Sequence, residues 1–288
     1  MDSLPPILYK YFGPERIDVL AKCMMRYSPL GAFNDPFEGR PEVTSLVSAD
    51  FARESLAEAL QQEAKSAYAQ FPQEAQAALT YETWEQLLAK ELKSKEVEIL
   101  QTIDERTPEF RNLMFQKLDE LLGALCLSEV PDSLLMWSHY AASHTGFVLE
   151  FDARHSHFNE GKGPEDEFRH LRRVLYREAR PSGMLIDFDG VDFYLVKSSH
   201  WSYEREWRIF RPLSDADVVI PGQPYGVHLF PFPANALRAV IFGARASEET
   251  KEAIRMSIRT NQSLRHVRLR NARPDDFHFL LRIVDAPA

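Results

Sequence analysis

Three short segments carry side chains whose types and spacing suit chemistry. The first, Trp201-Ser-Tyr-Glu-Arg-Glu-Trp-Arg208, holds two carboxylates and a guanidinium at every second position. If it is extended, period two places Glu204, Glu206 and Arg208 on one face and Tyr203, Arg205 and Trp207 on the other. Like charges held that close raise at least one pKa, while Arg208 lowers them, so the pair can divide into an acid and a base or hydrogen-bonding role. The same spacing also describes an exposed strand with alternating charges.

The second segment is Phe33-Asn-Asp-Pro-Phe-Glu38, a loop in which Asn34 or Asp35 makes a turn and Pro36 holds its neighbour extended. Phe33 and Phe37 anchor polar Asn34, Asp35 and Glu38, an arrangement that suits a binding loop and equally a turn pinned by two core rings. The third is Met136-Trp-Ser-His-Tyr-Ala-Ala-Ser-His-Thr-Gly146. On a helix, Trp137 and Tyr140 lie one turn apart, and His139 pairs with Ser143. Rings beside imidazoles make a wall for a flat heterocycle, or simply a core. His139, His144, His155 and His157 cluster in sequence without a zincin spacing or paired cysteines, so no metal is expected. The phosphate loop Gly-x-x-x-x-Gly-Lys-Ser/Thr, the dinucleotide fingerprint Gly-x-Gly-x-x-Gly and the nucleophile elbow Gly-x-Ser-x-Gly are absent from the sequence. Cys126 sits in an apolar run and reads as an inert thiol.

These segments need elements to position them. Ile7–Phe12 reads as a strand, broken by Gly13-Pro14 before a short helix, and 24–28 as a second short strand ahead of the Phe33 loop. From 48 to 122 the composition turns to Ala, Glu, Gln, Leu and Lys, with Pro72 and Pro108 as breaks. Leu56, Leu60, Ala64 and Ala67, then Trp84, Leu87, Leu88 and Leu92, recur at helical spacing, so 48–122 reads as a helical insertion, structural or serving as a lid or partner surface. Strands are expected again at 124–128, 146–151, 173–176, 207–211, 227–230, 239–242, 267–269 and 277–284. Residues 134–142 form a short helix, and 247–259 form a helix capped by Ser247, with Ile254 and Ile258 on one face. Strands and helices do not alternate regularly, so the expected class is α+β: a mixed, largely antiparallel sheet core with an inserted helical block, in a single domain over 1–288.

Hydrophobic residues at 44% and charged residues at 27% describe an ordinary globular chain of 288 residues. Two cysteines exclude a disulfide framework, and Met1-Asp-Ser-Leu-Pro-Pro lacks a basic region followed by an apolar run. These features point to a reducing cytoplasm, and no stretch approaches the roughly 18 consecutive apolar residues of a membrane span, so no membrane association is expected. A net charge of −9 disfavours nonspecific nucleic-acid binding, although arginines bunch at 169–180 and 265–273.

Taken in order, Leu8-Tyr-Lys-Tyr11, Phe33-Asn-Asp-Pro-Phe-Glu38, Met136-Trp-Ser-His-Tyr140 with His144-Thr-Gly146, and Trp201-x-x-Glu204-x-Glu206-x-Arg208 resemble the bacterial domain-of-unknown-function family numbered 2971. Ala239-Val-Ile-Phe-Gly243, followed by a helix and two strands, is similar to that family's closing pattern. The family brings no activity with it. The motifs further resemble the ADP-ribosyltransferase superfold, in which a late strand's Glu stabilises oxocarbenium-like charge on NAD and an aromatic wall holds nicotinamide. That resemblance implies Glu206 as this carboxylate, with Glu204 orienting the acceptor. Such enzymes carry Arg or His on the first strand, where this chain has Tyr9, Lys10 and Tyr11, and a Ser-Thr-Ser strand is missing.

The candidate catalytic residues are therefore Glu206, Glu204 and His139, with Tyr11, Asn34, Asp35, Glu38, Trp137, Tyr140 and Arg208 as ligand-binding candidates. NAD is the expected substrate, and a protein or nucleic acid the acceptor. Two alternatives stay open. One is a non-catalytic nucleotide or partner sensor in a phage-defence or toxin-associated module. The other is a nuclease or phosphodiesterase using Asp35, Glu38, Glu204 and Glu206 around a divalent ion.

Overall fold

A computed structural model describes residues 4–163, 166–188 and 190–286. Met1, Asp2 and Ser3, which open the segment read above for a leader, lie outside the described residues. In chain order the first elements are β1 (Ile7–Phe12), α1 (Asp18–Lys22), β2 (Met24–Tyr27), β3 (Glu42–Ser45), α2 (Ala49–Ala69), α3 (Gln73–Ala78), α4 (Tyr81–Leu121) and β4 (Leu122–Ser128). There follow α5 (Leu134–Tyr140), β5 (Phe147–Asp152), β6 (Arg172–Arg173), β7 (Leu175–Arg177), β8 (Ser182–Met184), β9 (Val196–Ser198) and β10 (Glu206–Pro212). The last are β11 (Val218–Ile220), β12 (Val227–Pro231), β13 (Leu237–Phe242), α6 (Glu248–Thr260), β14 (Arg268–Pro274) and β15 (Leu281–Asp285). The class is α+β.

The chain divides into two compact units. The first comprises Met1–Arg40, Gln116–Arg180 and Gly190–Ala288. Its sheet has eight strands in the order β15-β14-β13-β5-β1-β4-β10-β6, and a three-stranded sheet runs β11-β12-β2. Within the large sheet the β13–β14 pair is parallel and the other pairs are antiparallel. Leu8, Leu125, Leu127, Phe147, Leu149, Phe151, Ile209 and Val240 fill one face, closed by Ile254 and Ile258 of α6. The other face packs Tyr11, Val148 and Ile241 against Met136 and Trp137 of α5. Burial on both faces explains why β5 and β13 read as continuous apolar runs rather than alternating ones.

The second unit comprises Pro41–Phe115 and Pro181–Asp189: α2, α3, most of α4, and the parallel pair β3–β8. Ser48 caps α2 by accepting from the Phe51 N–H at 3.0 Å, and Arg53 reaches across to Glu96. Tyr68, Phe71, Tyr81 and Trp84 pack ring against ring at the α2–α4 turn. Pro72 does mark a helix start, at the N-cap of α3, but Pro108 lies inside α4 without ending it. A proline in a helix interior removes one backbone donor. Just before it, Thr107 Oγ1 bonds the Ile103 carbonyl at 2.9 Å.

Several sequence expectations need correction. The strand expected over 277–284 begins only at Leu281, because Asp275 pins a turn: its Oδ1 accepts from the N–H groups of Phe277 and His278 at 3.0 and 2.9 Å. The strand at 173–176 is split between β6 and β7, which pair with different partners. Within the arginine bunch at 169–180, Arg169 pairs with Asp166 and Asp215 and Arg172 with Asp192. No helix among the described residues is long and apolar enough to cross a membrane.

Candidate functional site

The candidate site lies wholly in the first unit, where the large sheet opens between β1 and β4. A cleft of about 420 Å³ is lined there by residues of β1, the Phe33 loop, β4, α5, β9 and the segment leading into β10. Its floor is an ion-pair network around a residue that the sequence motifs had not marked. Lys197 Nζ, from β9, lies 2.6 Å from Glu204 Oε2, 3.1 Å from Glu206 Oε2 and 3.4 Å from Glu38 Oε1. Behind it Arg208 donates from Nε to Glu206 Oε1 at 2.8 Å and from Nη2 to Oε2 at 3.0 Å. Arg208 also pairs with Glu38, and gives Nη1 to the Tyr194 carbonyl at 2.6 Å. All five charged side chains are buried.

Local geometry explains how Glu204 and Glu206 reach one ammonium. Glu206 and Arg208 do share a face of β10, but Glu204 is not on the strand. It ends a 3-10 helix over Ser199–Glu204, begun by Ser198 Oγ accepting from the His200 N–H, and Arg205 then turns left-handed at φ 44°. Ser128 Oγ donates to the Glu204 carbonyl at 2.6 Å and the Glu129 N–H to the Arg205 carbonyl at 3.2 Å, so the turn is tied to the end of β4. The expected period-two face over 204–208 is thus replaced by a turn and a strand whose carboxylates converge. Residues 206–210 are buried on both faces, which removes the exposed-strand reading.

The electrostatics follow from burial and pairing. Burial raises the Glu206 carboxyl, Lys197 opposes that rise and Glu204 adds to it. For Lys197, burial alone would lower the amine, but Glu206 and Glu204 outweigh it and the net effect is upward. Burial pushes Arg208 down to about 9, still charged at neutral pH. Tyr140 is raised by burial and then by Glu204, to whose Oε1 its hydroxyl donates at 2.7 Å. Asn34 Nδ2 reaches the same hydroxyl at 3.4 Å. The Cys126 side chain lines the cleft, and burial and Glu206 raise its thiol, which disfavours the thiolate.

Of the sequence candidates, Tyr11, Asn34, Glu38, His139, Tyr140, Glu204 and Glu206 line the cleft. Trp137, Asp35 and Arg208 do not. Trp137 is fully buried in the core behind Tyr11, with rings 5.4 Å apart, and its indole N–H goes to the Pro131 carbonyl. Asp35 accepts from the Phe37 N–H within its own turn. His139 is near the rings of Trp201 and Tyr203, at 6.4 and 6.5 Å. The cleft is also lined by Tyr9, Lys10, Phe33 and Cys126, and by Lys197, which no sequence motif includes. Lys197 stands alone in Leu195-Val-Lys-Ser-Ser199, and a lone lysine in a short strand is no local signal.

The Ser-His-Thr-Gly stretch has a backbone role. Ala142, Ser143 and His144 all adopt positive φ, at 45°, 55° and 71°, an uncommon left-handed turn for residues with a side chain. The turn is held by the His144 N–H donating to the Trp137 carbonyl and the Gly146 N–H to the Ala141 carbonyl. A Cβ at Gly146 would lie 2.0 Å from the Phe12 carbonyl, so only glycine lets β5 start against β1.

Among the described residues no group of three or more His, Cys, Asp or Glu side chains could hold a metal ion. The carboxylates that a divalent ion would need are already held by Lys197 and Arg208. No curated protein and no solved structure shows significant similarity to the chain. The family match covers α5, β5 and the Lys197–Glu204–Glu206–Arg208 network, while Lys10, Asn34, Glu38 and Cys126 come from outside it. Residues 136–209 match the family model described as Protein of unknown function (DUF2971).

Proposed function

We propose that the cleft is the site of an ADP-ribosyltransferase-like reaction on NAD, with Glu204, rather than the Glu206 that the resemblance implies, as the carboxylate facing the reacting sugar. The observation that carries this reading is the convergence of Glu204 and Glu206 on the floor of a cleft walled by Tyr9, Tyr140 and His139. Its volume falls within the roughly 300–1,000 Å³ of small-molecule sites. A carboxylate offers about four lone-pair sites. Glu206 receives two hydrogen bonds from Arg208 and one from Lys197, so its capacity is nearly filled. Glu204 receives one from Tyr140 and one from Lys197, and keeps acceptor capacity for a ligand.

In the reaction the C1′–N bond of the nicotinamide riboside breaks and its electron pair stays on the nicotinamide nitrogen, which becomes neutral. The positive charge passes to C1′ and the ring oxygen, where a preorganised carboxylate stabilises it. A lone pair of water or of the acceptor forms the new bond at C1′, and the proton it loses is taken up by Glu204. Tyr140 and Lys197 orient that carboxylate, and Glu206 with Arg208 fixes Lys197.

One observation favours a second reading, nucleotide binding without turnover: at rest both carboxylates are already ion-paired to Lys197. Incubation with NAD separates the two. Transfer or hydrolysis releases free nicotinamide in proportion to enzyme, whereas a sensor shows saturable calorimetric binding with NAD recovered intact. Neither release nor binding would remove both readings. A nuclease or phosphodiesterase would instead require magnesium or manganese to displace Lys197 and Arg208 from three carboxylates, and strict dependence on either ion would favour it over NAD chemistry.

A further inference from the structure

The eight-stranded sheet is parted where the cleft opens. β1 pairs with β5 along all six residues, and β4 with β10 along all seven, but β1 and β4 meet only at Tyr9 and Ser128. Lys10, Tyr11 and Phe12 on one side and Leu125, Cys126 and Leu127 on the other therefore have no ladder partner across the gap. Backbone groups left unpaired inside a fold need partners. Lys10 supplies one: its Nζ donates to the Cys126 carbonyl at 2.9 Å. By alternation Lys10 leaves β1 on the face opposite Tyr9 and Tyr11, yet it lines the same cleft as they do, which sets its amine in the gap.

Charge separates Lys10 from the other cations of the site. Lys197 and Arg208 are held by Glu38, Glu204 and Glu206. Lys10 has no carboxylate within 4.0 Å among the described residues. An ammonium carries three donors, and the Cys126 carbonyl takes one. Lysine binds phosphate as a compact point charge, without the planar fork by which arginine grips carboxylates.

We propose that the gap between β1 and β4 is an anion subsite, in which Lys10 binds a phosphoryl oxygen of the ligand that occupies the cleft. The inference rests on the cleft being a ligand site, and it adds which part of that ligand is recognised and by which residue. A ligand with a sugar at Glu204 and a phosphate at Lys10 is a phosphorylated nucleoside rather than a free one.

The test uses the full chain and pyrophosphate as the probe. Calorimetry at low ionic strength should show pyrophosphate binding to the wild type, retained within about threefold in Lys10→Arg and weakened at least about tenfold in Lys10→Met. A second arm compares nicotinamide mononucleotide with nicotinamide riboside, which differ by one phosphate; the wild type should prefer the mononucleotide, and Lys10→Met should lose the preference. Acetic anhydride labelling of the wild type, read by mass spectrometry, serves if Lys10→Met does not fold: pyrophosphate should protect Lys10, while acetate at equal ionic strength should not. Absence of pyrophosphate binding to the wild type, binding equal in Lys10→Met, or unprotected Lys10 overturns the proposal. If pyrophosphate binding depends on Lys10 but neither nicotinamide compound binds, the NAD reading fails and the anion subsite stands.

Discussion

Lys197→Met should lower unfolding stability by about 3–5 kcal/mol at pH 8, because it leaves buried carboxylates without their shared cation. Methionine fills similar space, so the loss is electrostatic rather than a cavity. The pH dependence fixes the cause. Glu206 already has a folded-state pKa above its unfolded value, and removing Lys197 takes away the charge that opposes this rise. A carboxyl raised in the folded state contributes stability that is fully present below its unfolded value and is lost as pH rises through the folded one. Lys197 itself is raised, so its own contribution is constant through the neutral range and fades only in strong alkali. The deficit of Lys197→Met relative to wild type should therefore widen between pH 5 and pH 8 in urea denaturation. A deficit under about 1 kcal/mol, as for an exposed pair, or one that does not change with pH, would contradict the buried network.

Glu204→Gln should reduce nicotinamide release by on the order of 10²–10³-fold, the usual loss when a preorganised electrostatic group is removed from a water-excluded site. Glutamine's single carbonyl oxygen can accept from Lys197 while its amide N–H donates to the Tyr140 hydroxyl, so the fold should be retained with a lowered melting temperature, and release is compared per folded protein. Glu206→Gln makes a poorer probe of chemistry, since it breaks the bidentate bond to fully buried Arg208 and confounds activity with stability. Steady-state release by the Glu204 variant within about threefold of wild type would assign the carboxylate role elsewhere.

Much of the framework was legible in the chain. β1, β4, α5, β5, β13 and α6 fall where branched and aromatic runs, helical spacing and the Ser247 cap put them. The composition of 48–122 foretold its helices, although Pro108 did not interrupt α4. The short pieces were less visible: β3, β8 and β9 are three or four residues long, and their pairing depends on segments far along the chain.

The site was legible in part for the same reason. Glu204 and Glu206 stand out by spacing, but what draws them together is a lysine from another strand, and a three-dimensional ion pair has no local signature. Aromatic residues on a helix suit both a pocket and a core, and full burial puts Trp137 in the core. The Glu204 turn depends on the Ser128–Glu204 and Glu129–Arg205 hydrogen bonds, which join positions more than seventy residues apart and cannot be read from Glu-x-Glu spacing.

The most direct test of the central claim is a crystal structure of the protein with carba-NAD, whose nicotinamide-bearing ring cannot form an oxocarbenium ion and so resists cleavage. The nicotinamide should lie in the cleft against Tyr9 or Tyr140, with a hydroxyl of its carbocyclic ring about 2.5–3.2 Å from the Glu204 carboxylate. Analogue bound outside this cleft, or no bound analogue at saturating concentration, would contradict the assignment.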